Sequence, residues 1–324
     1  MRSLSRDRLD LIDALVAESS LGGITASLLE KDEHLTDALR ALFAMKVEGL
    51  QLVFCGGTSL SKAHGLIERM SEDADIKVVL TEEAKQWSKT QTRRQLSKLR
   101  ALCSSTLSDI GLVEDHEQAL SFNDNRYIHS QWSYERGYPG VVGLRSNLQI
   151  ELTVRAPLLA TQQCSLTSLA DRLAQRSADG FFVTTVSVAE TQAEKVLSFL
   201  RRFAQHRAGL MNRPWDTALV RHIHDVHCIH SSQPELLDAA VSAFALLVEG
   251  DRQEFGVQHA AFAEDAPAVL RHALTQAKAD AQTRDEYERN LLPLVYGESK
   301  PVFDLAFASF ETVARRLLST LVSV

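Results

Sequence analysis

The sequence predicts an α+β fold: a mixed sheet with flanking helices over residues 1–186, followed by a mainly helical domain over residues 187–324. Three observations carry this. Only 15 glycines and 7 prolines occur in 324 residues, which disfavours an all-β or disordered chain and favours long helices. Hydrophobic residues make up 45% of the chain, and the length suits two domains of ordinary size. At Ser187 the pattern changes, from short strand-like and helix-like segments to almost continuous helical periodicity.

Taken in order, residues 5–18 and 33–48 read as helices, with apolar residues recurring every three or four positions. Leu52-Val53-Phe54-Cys55 reads as a strand that meets a turn at Gly56-Gly57. A helix over 58–69 follows, with Thr58 or Ser59 as its N-cap. Asp73 to Leu80 reads as a second strand, and 82–110 as a helical region with a basic run. Residues 111–155 lack helical periodicity and read as antiparallel strands, the last from Asn147 to Arg155. Phe181 to Val186 reads as one more strand. Ser187 and Glu190 have capping-box spacing, with a helix to about Gln205. Pro214 suits a first helical turn, and the remainder reads as helical.

Net charge is −7, so the chain is no general polyanion coat, and any nucleic-acid contact needs a local basic patch. Cys55, Cys103, Cys164 and Cys228 form no CxxC pair, which suits reduced thiols and a cytoplasmic location. The N-terminus is amphipathic and carries both charge signs, unlike a signal peptide. No stretch reaches the roughly 18 apolar residues that span a bilayer.

Two features carry chemistry. Gly56-Gly57-Thr58-Ser59 stands between a strand and a helix, where glycines allow close approach of a ligand and N–H groups favour an anion. Alone, this pattern equally makes an ordinary turn. Asp73 and Asp75 then lie at i and i+2 on a strand, so their carboxylates leave the same face. Two such carboxylates repel unless a cation sits between them, and hard oxygen donors suit Mg²⁺ or Mn²⁺.

The stretch FCGGTSLSKAHGLIERMSEDADIKVVL, residues 54–80, resembles the signature of the AbiEii-type nucleotidyltransferase toxins, a family that includes the MenT-like toxins and resembles the polymerase-β-like nucleotidyltransferases. The matching residues are Gly56, Gly57, Thr58 and Ser59, then Arg69 and Ser71, then Asp73 and Asp75. Ala74 departs from the isoleucine more usual between the aspartates. The resemblance implies a nucleotidyltransferase-like sheet and three further site residues. Glu151, flanked by Ile150 and Leu152, fits the family's third acid. Lys195, in Ala193-Glu194-Lys195 ahead of Arg201 and Arg202, fits a lysine that meets the triphosphate as a point charge. Asp225, four residues after Arg221, fits a downstream aspartate.

By this resemblance the chain transfers NMP from an NTP to an acceptor hydroxyl. Asp73, Asp75 and Glu151 hold two Mg²⁺ about 3.5–4 Å apart. Gly56, Gly57, Thr58, Ser59 and Lys195 hold the triphosphate. The expected acceptor is an RNA, the 3′ end of tRNA, and the expected partner is a cognate antitoxin protein. Two basic stretches offer a route for that RNA: Lys85 to Arg100, and Arg201 to Arg213, the second being favoured because it follows Lys195. Trp132, Tyr134 and Tyr138 are candidates for base stacking, with core packing the commoner role. Two alternatives stay open. One is a zinc-dependent hydrolase on the run His222, His224, His227, Cys228 and His230, although no HExxH accompanies it. The other is a catalytically inactive nucleotide-binding module, against which the paired aspartates speak.

Overall fold

The computed structural model describes residues 1–18, 23–141, 144–176, 180–211, 214–297 and 299–321. The chain divides into two compact units, Met1–Val186 and Ser187–Val324.

The first unit opens with two helices, α1 (Arg6–Ala17) and α2 (Ala26–Ala44). Strand β1 (Leu50–Cys55) runs directly into a short helix, α3 (Gly56–Lys62), and β2 spans Asp73–Leu80. A long helix, α4 (Lys89–Asp109), is capped by Ser88, whose hydroxyl accepts from the Gln91 N–H. Then come β3 (Val113–Glu114), β4 (Leu120–Phe122), β5 (Tyr127–Ser133), β6 (Asn147–Val154), β7 (Gln162–Leu166), α5 (Leu169–Leu173) and β8 (Phe181–Thr185). Among the described residues these strands form one sheet in the order β3-β5-β6-β2-β1-β8-β7, with β4 on β5. The sheet is mixed: β2 is antiparallel to β1 but parallel to β6.

The strands alternate, and the alternation sorts the sheet into two unlike faces. Phe54, Ala74, Ile76, Val78, Ile128, Trp132, Leu148, Ile150 and Leu152 point to one side. There they form a core with Leu35, Leu39 and Leu42 of α2 and Leu96, Leu99 and Leu107 of α4. The other side carries Asp73, Asp75, Lys77, Gln149, Glu151 and Thr153.

Several local expectations are corrected. Helix α2 starts at Ala26 rather than 33, with Thr25 as its cap. Its first turns bury Glu30, Lys31, Asp32 and Glu33, and these charges erase the apolar period that marks a buried helix face. Helix α3 ends at Lys62 rather than 69, and the left-handed Gly65 (φ +62°) follows it. Cys55, not Thr58 or Ser59, is its N-cap residue. The final strand of the 111–155 region is antiparallel to β5 but pairs on its other side in parallel with β2. Strand β7 and helix α5 had no counterpart in the sequence reading.

The second unit contains α6 (Val188–Arg207), α7 (Arg221–Ser232), α8 (Leu237–Phe255), α9 (Ala260–Glu264), α10 (Ala266–Ala279), α11 (Ala281–Glu286) and α12 (Phe303–Leu318). Ser187 caps α6 by accepting from the Glu190 N–H. The core of this unit is aromatic: Phe199 meets Phe310 edge-on at 5.1 Å, and Phe203 meets Trp215. Pro214 is not in a helix. Asp216 instead caps a single 3₁₀ turn, Thr217–Val220, ahead of α7. No described helix is long and apolar enough to cross a membrane.

Candidate active site

The polar face of the sheet gathers the acidic residues. In the strand register Asp75 lies between Cys55 of β1 and Glu151 of β6, and His129 of β5 lies beside Glu151. Directly paired residues share a face, so Asp75, Glu151 and His129 form a row across three strands. Asp73 is two residues away on the same face, opposite Gln149. Lys77 continues the same alternation and is buried there.

Gly56 makes this row possible. Its φ is +75°, a left-handed conformation that favours glycine. A Cβ added at Gly56 would stand 1.9 Å from Oδ2 of Asp75 and 2.7 Å from its Cγ. The turn therefore passes where only a residue without a side chain fits, and the Asp75 carboxylate lies against it. Gly57, Thr58 and Ser59 continue into α3, all buried. The Thr58 hydroxyl is used inside the fold: it donates to the Asp73 carbonyl and lies 2.8 Å from the Ser71 hydroxyl. It fastens α3 to the start of β2. Arg69 is buried, and its guanidinium donates to the Met70 carbonyl at 2.9 Å.

Asp73 is held from another side. Arg145 Nη1 donates to its Oδ1 at 2.7 Å and also to the Gln149 side chain. The Arg145 backbone is itself anchored: its N–H donates to Glu72 at 2.6 Å, and its carbonyl accepts from Lys31 Nζ at 3.0 Å. Lys31 and Glu72 form an ion pair of 2.7 Å with both side chains almost wholly buried. Burial lowers the Lys31 pKa from its ordinary value, and Glu72 pulls the other way. The sequence reading missed Arg145, Lys31 and Glu72. Glu72 adjoins Asp73, but nothing in the spacing ties it to residues 41 and 73 positions away.

The donor set fits a hard divalent cation: three carboxylates on one face, with room made for one of them at Gly56. Among the described residues no three His, Cys, Asp or Glu side chains already converge as a ligand cluster. Arg145 is the cation in contact with Asp73.

In the helical unit, Lys195 and Asp225 are brought together. Lys195 Nζ on α6 meets Asp225 Oδ2 on α7 at 2.7 Å, with both side chains buried. His224 Nδ1 is 3.5 Å from Asp225 Oδ1, and the Cys228 thiol is 3.7 Å from the His224 ring. His227 instead pairs with the Ser309 hydroxyl at 2.9 Å. The histidine run thus serves α7 packing and the Lys195–Asp225 pair.

The favoured basic stretch proves to be occupied. Arg201 pairs with Asp251 at 2.9 Å and stacks over Phe255, Arg202 pairs with Asp216, and Arg207 reaches Asp280 at 3.4 Å. Arg213 lies outside the described residues. The other stretch differs. Lys85 is paired with Glu82 and Arg93 with Asp124, while Lys89, Arg94, Lys98 and Arg100 are exposed on α4. Trp132 and Tyr134 are buried in the core, and the Tyr138 hydroxyl donates to the Leu9 carbonyl.

A mixed sheet with paired strand carboxylates, beside a glycine turn that leads into a helix, is the arrangement expected of a nucleotidyltransferase. The comparisons with known proteins agree. Residues 37–311 match the family model described as nucleotidyl transferase AbiEii toxin, type IV TA system, and the chain belongs to this family. Among solved structures it is similar to MenT4, a nucleotidyltransferase toxin from Mycobacterium tuberculosis H37Rv. The TM-score is 0.55 at 17% identity, over 99% of this chain and 91% of that one. No curated protein sequence matches. The zinc-hydrolase reading is thereby displaced. The family works with a nucleoside triphosphate and a divalent metal, and a type IV toxin implies an antitoxin partner.

Proposed function

We propose that this toxin transfers a nucleoside monophosphate from an NTP to the 3′-terminal hydroxyl of an RNA, tRNA being the expected acceptor. Asp73, Asp75 and Glu151 are assigned as holders of the divalent cation, Mg²⁺ or Mn²⁺. The single observation that supports this best is the carboxylate row itself: Asp75 in register with Glu151, Asp73 on the same face, and Gly56 giving way to Asp75.

A cation bound there would activate the acceptor hydroxyl and stabilise charge on the departing pyrophosphate. In the transfer, the acceptor oxygen bonds to the α-phosphorus as the bond to the β-bridging oxygen breaks. Pyrophosphate leaves with that electron pair, and the acceptor proton passes to solvent. The main-chain N–H groups of Gly56, Gly57, Thr58 and Ser59 are assigned to the triphosphate, since the Thr58 hydroxyl is already engaged. Lys195 is assigned as a further positive charge for the triphosphate, and Asp225 as the carboxylate that holds it.

The exposed α4 residues Lys89, Arg94, Lys98 and Arg100 are assigned to the acceptor backbone, in place of the arginines after Lys195. Helix α4 packs on the apolar face of the sheet. It would therefore grip the body of a large RNA rather than its reacting end.

The test is to incubate the protein with total RNA, Mg²⁺ and each α-labelled NTP in turn. Label appearing at RNA 3′ ends supports the reading. Label found only in protein or small molecules refutes the RNA acceptor.

A further inference from the structure

We infer that Arg145 binds the polyphosphate of the nucleotide, and that its contact with Asp73 is the place where it waits. This rests on the metal-dependent transfer proposed above. Three observations carry it.

The first is position. Arg145 Nη1 touches Asp73 Oδ1 at 2.7 Å, so the guanidinium stands at the carboxylate face where the α-phosphate must react. The second is capacity. A guanidinium has five N–H donors, and Nη1 alone serves both Asp73 and Gln149. The side chain is 40% exposed, so it has donors to offer a ligand. A planar fork also suits phosphate oxygens.

The third is the anchoring. Both polar groups of the Arg145 backbone bond to the buried Lys31–Glu72 pair. Burying two charges is expensive, and a fold gains little stability from it compared with apolar packing. Here the pair fixes one main-chain position beside Asp73, and the residue at that position is an arginine. The backbone is held while the side chain stays free to turn from Asp73 to a phosphate.

Arg145 then acts in two opposite senses. It attracts the polyphosphate and competes with a cation for Asp73. Removing it therefore weakens one ligand and strengthens the other. If Arg145 only oriented Asp73 as a structural ion pair, its removal would weaken cation binding and leave polyphosphate binding unchanged.

The experiment compares the wild-type chain with Arg145→Ala and Arg145→Lys. Mn²⁺ binding is followed by electron paramagnetic resonance, and inorganic triphosphate binding in the presence of Mn²⁺ by calorimetry. Arg145→Ala should weaken triphosphate binding by about tenfold or more, the scale of one lost charge-assisted contact. Arg145→Lys should recover part of it. Mn²⁺ should bind Arg145→Ala more tightly than wild type, and the KM for NTP should rise more than kcat falls. Unchanged triphosphate binding, or weaker Mn²⁺ binding, overturns the inference; so does a wild-type chain that does not bind triphosphate. Asp75→Asn separates the two claims. If it still transfers nucleotide, the metal-holding role of the Asp73–Asp75–Glu151 face fails. If it is inactive while Arg145→Ala binds triphosphate normally, only the role of Arg145 fails.

Discussion

Gly56→Ala is the sharpest test of how the site is built. Two costs are expected, and they can be separated. The first is conformational: an alanine at φ +75° pays about 1–2 kcal/mol for the left-handed backbone. The second is steric. The new Cβ would stand 1.9, 2.7 and 2.9 Å from Oδ2, Cγ and Cβ of Asp75. Turning the end of the Asp75 side chain cannot relieve all three, because its own Cβ is too close. Strand β2 or the turn must shift, at roughly 1–3 kcal/mol for overpacking of this kind. Gly65→Ala is the control: its φ is +62°, and nothing lies within 4 Å of the added Cβ. It should lose about 1–2 kcal/mol from strain alone and keep its activity. Gly56→Ala should lose about 2–5 kcal/mol in total. Its transfer rate should fall about 100-fold, the loss that a displacement near 1 Å can cause. Urea unfolding followed by circular dichroism gives the stabilities, and label transfer gives the rates. If the two variants lose equal stability and Gly56→Ala stays active, Asp75 does not depend on the space at Gly56.

Three further outcomes are expected. Lys195→Met leaves Asp225 buried without its ammonium partner and should cost roughly 3–5 kcal/mol. The double variant Lys195→Met, Asp225→Leu should regain much of that stability in urea melts but no activity, and recovery of activity would make the pair purely structural. His34 is fully buried with both ring nitrogens unpartnered, and burial, helped by Arg2, lowers its pKa to about 4. The unfolded chain, with a His pKa near 6.5, then binds the extra proton between about pH 6.5 and 4. Stability should fall as pH drops through that window, His34 contributing up to about 1.4 kcal/mol per pH unit. His34→Phe should make the slope shallower, while the part due to His64, His227 and His259, whose pKa values burial also lowers, persists. For the acceptor, changing Lys89, Arg94 and Lys98 to Gln should lower the log–log salt slope of RNA binding by about 0.7–0.9 per lost phosphate contact, and an unchanged slope would move the RNA elsewhere.

The α+β class and the run from β1 through the glycine turn to β2 were legible because they are written locally. Asp73-Ala74-Asp75-Ile76-Lys77 alternates polar and apolar residues, and the structure buries Ala74 and Ile76 while Asp73 and Asp75 are partly open. The start of α2 was not legible, because the helix buries a charged run whose partners lie far along the chain: Lys31 with Glu72, Lys62 with Asp32, and Arg8 with Glu33. Arg145 was hidden for the same reason, since its importance comes from contacts with residues 31, 72 and 73. Strand β7, Gln162-Gln163-Cys164-Ser165-Leu166, is an edge strand with mostly exposed polar side chains, and it carries little of the apolar signal that marks a strand. The arginines after Lys195 looked like an open basic patch because their partners, Asp251, Asp216 and Asp280, lie further along the chain.

The central claim is that the Asp73–Asp75–Glu151 face moves the α-phosphoryl group of an NTP with its nucleoside. The most direct measurement compares α-labelled with γ-labelled NTP, in Mg²⁺ and RNA, for the wild-type chain and for Asp73→Asn, Asp75→Asn and Glu151→Gln. The account predicts that the α-label enters the acceptor, that the γ-label leaves as pyrophosphate, and that each variant stops both while remaining folded. Transfer of the γ-label to the acceptor, or full α-label transfer by Asp75→Asn, would contradict it.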